Sequence, residues 1–144
     1  MSSYQSSVLE GASGLELVVA LYDGILRFLY AACDAVDRGD TVARRGAVKR
    51  ALDIIIHLQA RLRMDAGGKP AEALSDFYAS IFAQILQASQ AASRSKFRHA
   101  IECVREVRDA WRLAARAESA KARSSEPVLH GNAPNGSQRL ECSA

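Results

Sequence analysis

Residues 13 to 29 read SGLELVVALYDGILRFL, and this stretch decides the fold. Ser13 followed three residues later by Glu16 is a capping box, in which hydroxyl and carboxylate satisfy backbone N–H groups left open at a helix start. A helix therefore begins near Gly14. Val18, Leu21, Tyr22, Ile25, Phe28, Leu29, Ala32 and Val36 then follow the i, i+3, i+4, i+7 spacing of one buried stripe. Leu17, Val19, Leu26, Tyr30 and Cys33 fall outside it, so this helix is apolar over more than one face and calls for more than one neighbour. Asp23, Arg27 and Asp34 make a narrow solvated ridge on which Asp23 and Arg27 stand at i, i+4 pairing distance. Gly24 costs about 1 kcal/mol against alanine in a helix interior, and the close approach of another helix is its expected reason.

The pattern repeats three more times. Gly39 suits the position after a helix end, and Asp40 or Thr41 can cap a second helix at once, running to about Asp65. Its stripe is Val48, Ala51, Leu52, Ile55, Leu58, Gln59 and Leu62, flanked on opposite sides by Ile54 and Ile56. Gly67-Gly68-Lys69-Pro70 breaks the period, with Pro70 where a first helical turn accepts proline. Leu74, Phe77, Tyr78, Ile81, Ile85 and Ala88 then form the third stripe, widened by Phe82 and Leu86. Past Ser93-Arg94-Ser95, a fourth runs through Phe97, Ile101, Val104, Val107 and Trp111 and frays near Ala120. Short loops between long helices force antiparallel neighbours, so the fold class is all-α: an up-down four-helix bundle over residues 13–122. Residues 1–12 form a short N-terminal segment. Residues 123–144, rich in Ser, Gly, Asn and Pro, are expected to be a disordered tail.

At 144 residues the chain is one domain with enough length for a real core. MSSYQSSVLEGAS lacks the basic start and apolar centre of a signal peptide, and Asp23 with Arg27 interrupts any membrane span, so a cytoplasmic protein without stable membrane insertion is expected. Cys33, Cys103 and Cys142 have no metal-ligand spacing and read as reduced thiols. His57, His99 and His130 stand apart from ligand partners, and no Glu has a His three residues on, so neither a metal nor another cofactor is expected. Gly67-Gly68-Lys69 lacks the first glycine, the Ser or Thr and the preceding strand of a phosphate loop. Ser89, Ser93 and Ser95 are read as lacking a general base, which leaves nucleophilic catalysis without support. The chain is therefore read as a non-enzyme. Net charge is +3, with a basic ridge at Arg108, Arg112 and Arg116 that suits an acidic partner, a phosphate backbone or plain solvent.

Several of these residues recur together in a known family. Ala12-Ser13, Glu16-Leu17-Val18, Leu21-Tyr22-Asp23-Gly24 and Arg27-Phe28-Leu29 come first. Gly39-Asp40, Ala51, Ile54-Ile55 and Gly67-Gly68 follow, then Ala71, Leu74, Tyr78, Leu86, Ala88 and Ala110-Trp111. In this order and spacing, over about residues 4 to 115, the chain resembles the flagellin-specific export chaperones of bacterial flagellar assembly, the FliS type. Gly14 departs from the pattern, since the family often has proline after the capping residue; the capping box survives the change.

The resemblance implies a chaperone that binds the disordered C-terminal segment of flagellin, prevents premature polymerisation and delivers it to the flagellar type III export apparatus. The surplus apolar residues supply candidate flagellin contacts: Ile54, Ile56, Phe82, Leu86, Leu17, Val19, Leu26 and Tyr30. Tyr4, Val8 and Leu9 are candidates for an N-terminal cap over the groove, and the resemblance also implicates that segment in contact with an export gate component. Two alternatives stand beside this reading. One is a helical adaptor bundle whose surplus apolar surface makes a homodimer; the other is a nucleic-acid binder using the basic ridge, which offers no aromatic platform there.

Overall fold

The computed structural model describes residues 14–65 and 68–124. Four helices account for nearly all of them: α1 Gly14–Arg38, α2 Thr41–Asp65, α3 Lys69–Gln90 and α4 Arg94–Ser124. The helix α1 packs most extensively, against α2 and α4, and α3 closes the ring by packing on the same two neighbours. This is the four-helix bundle expected from the periodicity. The fourth helix continues to Ser124, past the fraying expected near Ala120. Ser13, half of the capping box, lies outside the described residues, as do the expected N-terminal segment and tail.

The four stripes meet in one core. Tyr22, Ile25 and Leu29 of α1, Ile55 of α2, Ile81 and Ile85 of α3, and Phe97 and Val104 of α4 are its largest fully buried side chains. Ile54 is half-buried and turned toward α1, where a Cβ added at Gly24 would sit 3.0 Å from its Cδ1. The mid-helix glycine is thus the point of close approach that its position in the sequence suggested.

The connections are set by backbone chemistry. Gly39 adopts φ +70°, donating its N–H to Val36 O at 3.1 Å while Asp40 donates to Ala35 O at 2.9 Å. Of the two cap candidates it is Asp40 that accepts, its Oδ1 taking the Ala43 N–H at 3.0 Å. At the third connection Ala92 and Ser93 donate to Ser89 O and Ala88 O, both at 3.0 Å, and Ser93 caps α4 through the Lys96 N–H. That closure puts Ala92 at φ +47°, where its Cβ crowds the backbone and a glycine would sit without strain. Ala92→Gly is expected to raise unfolding free energy in urea by about 0.5 to 1 kcal/mol, net of the extra chain entropy glycine brings.

A buried polar cluster lies inside the ring. The Tyr22 hydroxyl donates to the Tyr78 hydroxyl at 2.8 Å, and the Tyr22 ring is tilted against those of Tyr78 and Trp111, with centroids 6.2 and 6.4 Å apart. Burial pushes the Tyr22 phenol well above its ordinary value of 10.0, and the bond to Tyr78 pushes it further. Burial also raises Tyr78, against the bond from Tyr22, which lowers it. Above pH 10 the unfolded chain releases these two protons while the folded chain keeps them, so stability falls as pH rises through the alkaline range. Urea midpoints measured from pH 9 to pH 11 are expected to decline, and the Tyr22→Phe variant to decline less steeply.

Candidate functional site

Some of the candidate contacts converge on one surface and the rest are spread over the bundle. On the flank between α2 and α3, Ile56 and Leu86 are 51% and 38% exposed and stand beside half-buried Phe82. Together with Val48 and Leu52 they line a groove of about 360 Å³. Its rim carries Arg45 and the Lys49–Asp53 pair, whose Nζ–Oδ2 distance is 2.9 Å. Three residues from two helices, picked for falling off their stripes, thus arrive on one surface. Isoleucine and leucine are large enough to bury substantial area in a partner yet meet none within their own helices' packing.

The remaining candidates go elsewhere. Ile54 packs on α1 at Gly24, across α2 from the groove. Leu26 is 5% exposed and belongs to the core, so the wide apolar face of α1 is partly consumed by the bundle itself. Val19 lines a second groove, between α1 and α4, while Leu17 is half-buried and Tyr30 is 43% exposed, away from the grooves described here. Tyr4, Val8 and Leu9 lie outside the described residues.

A third opening, of about 380 Å³, is found at the end of the bundle. Leu15 and Val18 of α1, Leu58 and Leu62 of α2, Leu74 and Tyr78 of α3, and Trp111 of α4 line it. The Trp111 Nε1 is buried there without a well-formed hydrogen bond among the described residues, yet it lies close enough to the Tyr22 hydroxyl to offset part of that phenol's upward shift. Periodicity placed Trp111 in the core. It is instead half-buried, one face on Tyr22 and another on this opening.

The charged groups are spent differently from the expectation. Asp23 pairs across the helix interface with Arg108, at 2.6 Å, rather than with Arg27. Arg27 lies over the Phe28 ring instead, 5.4 Å from its centroid, and Arg50 of α2 is 5.8 Å from the same centroid. Arg108 is only 15% exposed and also reaches Asp109 at 2.9 Å, so the first member of the basic ridge ties α4 to α1. Asp37 and Arg94 form a further cross-helix pair.

Of the groups with chemical reactivity, the Cys103 Sγ stands 3.8 Å from the His99 Nε2, one turn away on α4. Cys33 is buried and Cys103 half-buried, both as free thiols. Burial raises the Cys103 thiol, and Glu106 and Glu102 raise it further, which disfavours the thiolate. Among the described residues no three His, Cys, Asp or Glu side chains gather where they could hold a metal ion. Among them, too, no helix is long and apolar enough to cross a membrane.

Fold and surface together define a helical bundle of the interaction class, with apolar grooves on its flanks and at its end. The chain belongs to the FliS family of flagellar proteins: the family model described as flagellar protein FliS matches residues 1–118. It is similar to the flagellar secretion chaperone FliS of Vibrio cholerae, with 32% identity over 105 residues, 73% of this chain and 77% of that one. It is also similar to the flagellar secretion chaperone FliS of Salmonella typhimurium, with 30% identity over 111 residues, 76% of this chain and 82% of that one.

Proposed function

We propose that the protein is a cytoplasmic export chaperone whose client is the disordered C-terminal segment of flagellin, which it shields from premature polymerisation and delivers to the export gate. The observation that carries the client-binding part is the convergence of Ile56, Phe82 and Leu86 on the α2–α3 groove. An amphipathic turn of the client lays its apolar side chains there, helix in groove.

The energetics set the extent of the contact. Burying a large apolar side chain contributes about 1.5 to 3 kcal/mol, whereas ordering a disordered segment costs about 2 to 5 kcal/mol, before the cost of association. One groove of half-exposed side chains therefore falls short of micromolar binding, which takes about −8 kcal/mol. The opening lined by Leu15, Leu62, Leu74 and Trp111 gives a second set of anchors at the end of the bundle. The client is accordingly extended and wraps more than one face.

The test is calorimetric titration of the full chain with a flagellin C-terminal segment. Micromolar or tighter binding with a negative heat-capacity change is expected, the mark of apolar burial coupled to folding. A homodimer that sediments identically with and without the segment would favour the adaptor alternative.

A further inference from the structure

The groove between α1 and α4 differs from the other two in its charge. Val19, buried Ala115 and exposed Ala120 line it, and its volume is about 570 Å³. Arg112, Arg116 and Arg123 rim it, with Glu16 as the acidic residue of the lining. On a helix these three arginines fall at i, i+4 and i+11, within a narrow angular range, so they form one row about 16 Å long. Asp23 of α1 is already engaged: it holds Arg108 at 2.6 Å and stands 3.9 Å from Arg112. Arg116 and Arg123 are exposed, with no carboxylate among the described residues in ion-pair contact. Arg123, Ser119 and Ala120 also lie past residue 118, where the family match ends.

The geometry points to a second docking face, separate from the flagellin groove, that receives an acidic amphipathic helix of another protein. The small side chains of Ala115 and Ala120 let a helix backbone come close, and Val19 offers the apolar contact. Carboxylates spaced along three turns of such a helix meet the arginine row in the forked geometry guanidinium favours. A second copy of this chain is a poor match, since its net charge is +3.

The test uses two designed helical peptides of about 18 residues, roughly 27 Å long, with leucines along one face and either glutamates or lysines beside them. Anisotropy with the full chain is expected to show the glutamate peptide binding about tenfold tighter than the lysine peptide, as three partly exposed ion pairs would give, with the gap closing in high salt. The Arg116→Glu/Arg123→Glu variant, altered only at exposed positions, is expected to reverse the ranking. Saturating flagellin segment should leave glutamate-peptide affinity unchanged, and Ile56→Asp/Leu86→Asp should spare it even where flagellin binding is lost. Equal binding of both peptides, or an unchanged ranking in the variant, would overturn the proposal. So would displacement by flagellin, which would make the face part of the client's path. Equal affinity for an oligothymidine strand would make it a general polyanion site. A dimer abolished by the charge reversal would give the face to a second copy.

Discussion

Ile56→Asp combined with Leu86→Asp is expected to weaken binding of the flagellin C-terminal segment by about 30-fold or more while the bundle stays folded. Each side chain is half-exposed, so a partner that covers it gains about 1 to 1.5 kcal/mol from the area still open to water, and the pair gains about 2 to 3 kcal/mol. The aspartates remove that gain and add the cost of desolvating charge in the complex. The part of each side chain covered within the free bundle costs folding about 1 to 1.5 kcal/mol when it is lost, out of a total of about 5 to 15 kcal/mol, so thermal unfolding should move to lower temperature while the bundle stays folded at the temperature of the titration. Phe82 is the wrong choice for this experiment because it packs against the core and would confound binding with unfolding. Calorimetry with wild type and variant supplies the comparison. Unchanged affinity would remove this groove from the client's path.

The largest loss of stability is expected from Tyr22→Ala. Tyr22 is fully buried, donates to Tyr78 and supports both Tyr78 and Trp111 by ring contact. Its removal opens a cavity and strips Tyr78 of its hydroxyl partner, for a total of about 3 to 5 kcal/mol. Domains of this kind are stable by about 5 to 15 kcal/mol, so the variant approaches the edge of folding at 37 °C. Trp111→Ala should cost less, about 2 kcal/mol, because one face of the indole already looks into the end opening. Urea unfolding of the two variants, compared with wild type, gives the order. A greater loss for Trp111→Ala would mean that the opening at the bundle end is closed in solution.

The bundle was legible because one physical rule, burial of a stripe at helical period, repeats four times, with glycine, glycine and proline, or a short polar run between. Even the turn at Gly39-Asp40 and the close approach of another helix at Gly24 followed from local chemistry. What periodicity could not supply was the rotation of each helix against its neighbours. That rotation sends Leu26 into the core, Val19 toward α4 and Ile54 toward α1, although all three read as surplus on a helical wheel. It also joins Asp23 to Arg108, residues 85 positions apart, where the sequence offered Arg27 four positions away. The motif Leu21-Tyr22-Asp23-Gly24 gains a physical meaning as a result: tyrosine for the buried cluster, aspartate for the tie to α4, glycine for the contact with α2. Each of these partners lies on another helix, which is why the motif's role is invisible within α1 alone.

Methyl-resolved NMR of the full chain during titration with the flagellin segment tests directly whether that segment lies in the α2–α3 groove. The Ile56 and Leu86 methyl resonances are expected to shift and to saturate together, while those of fully buried Ile25 and Ile85 move far less. Saturation of the complex with the Ile56 and Leu86 methyls unmoved would place the segment outside this groove.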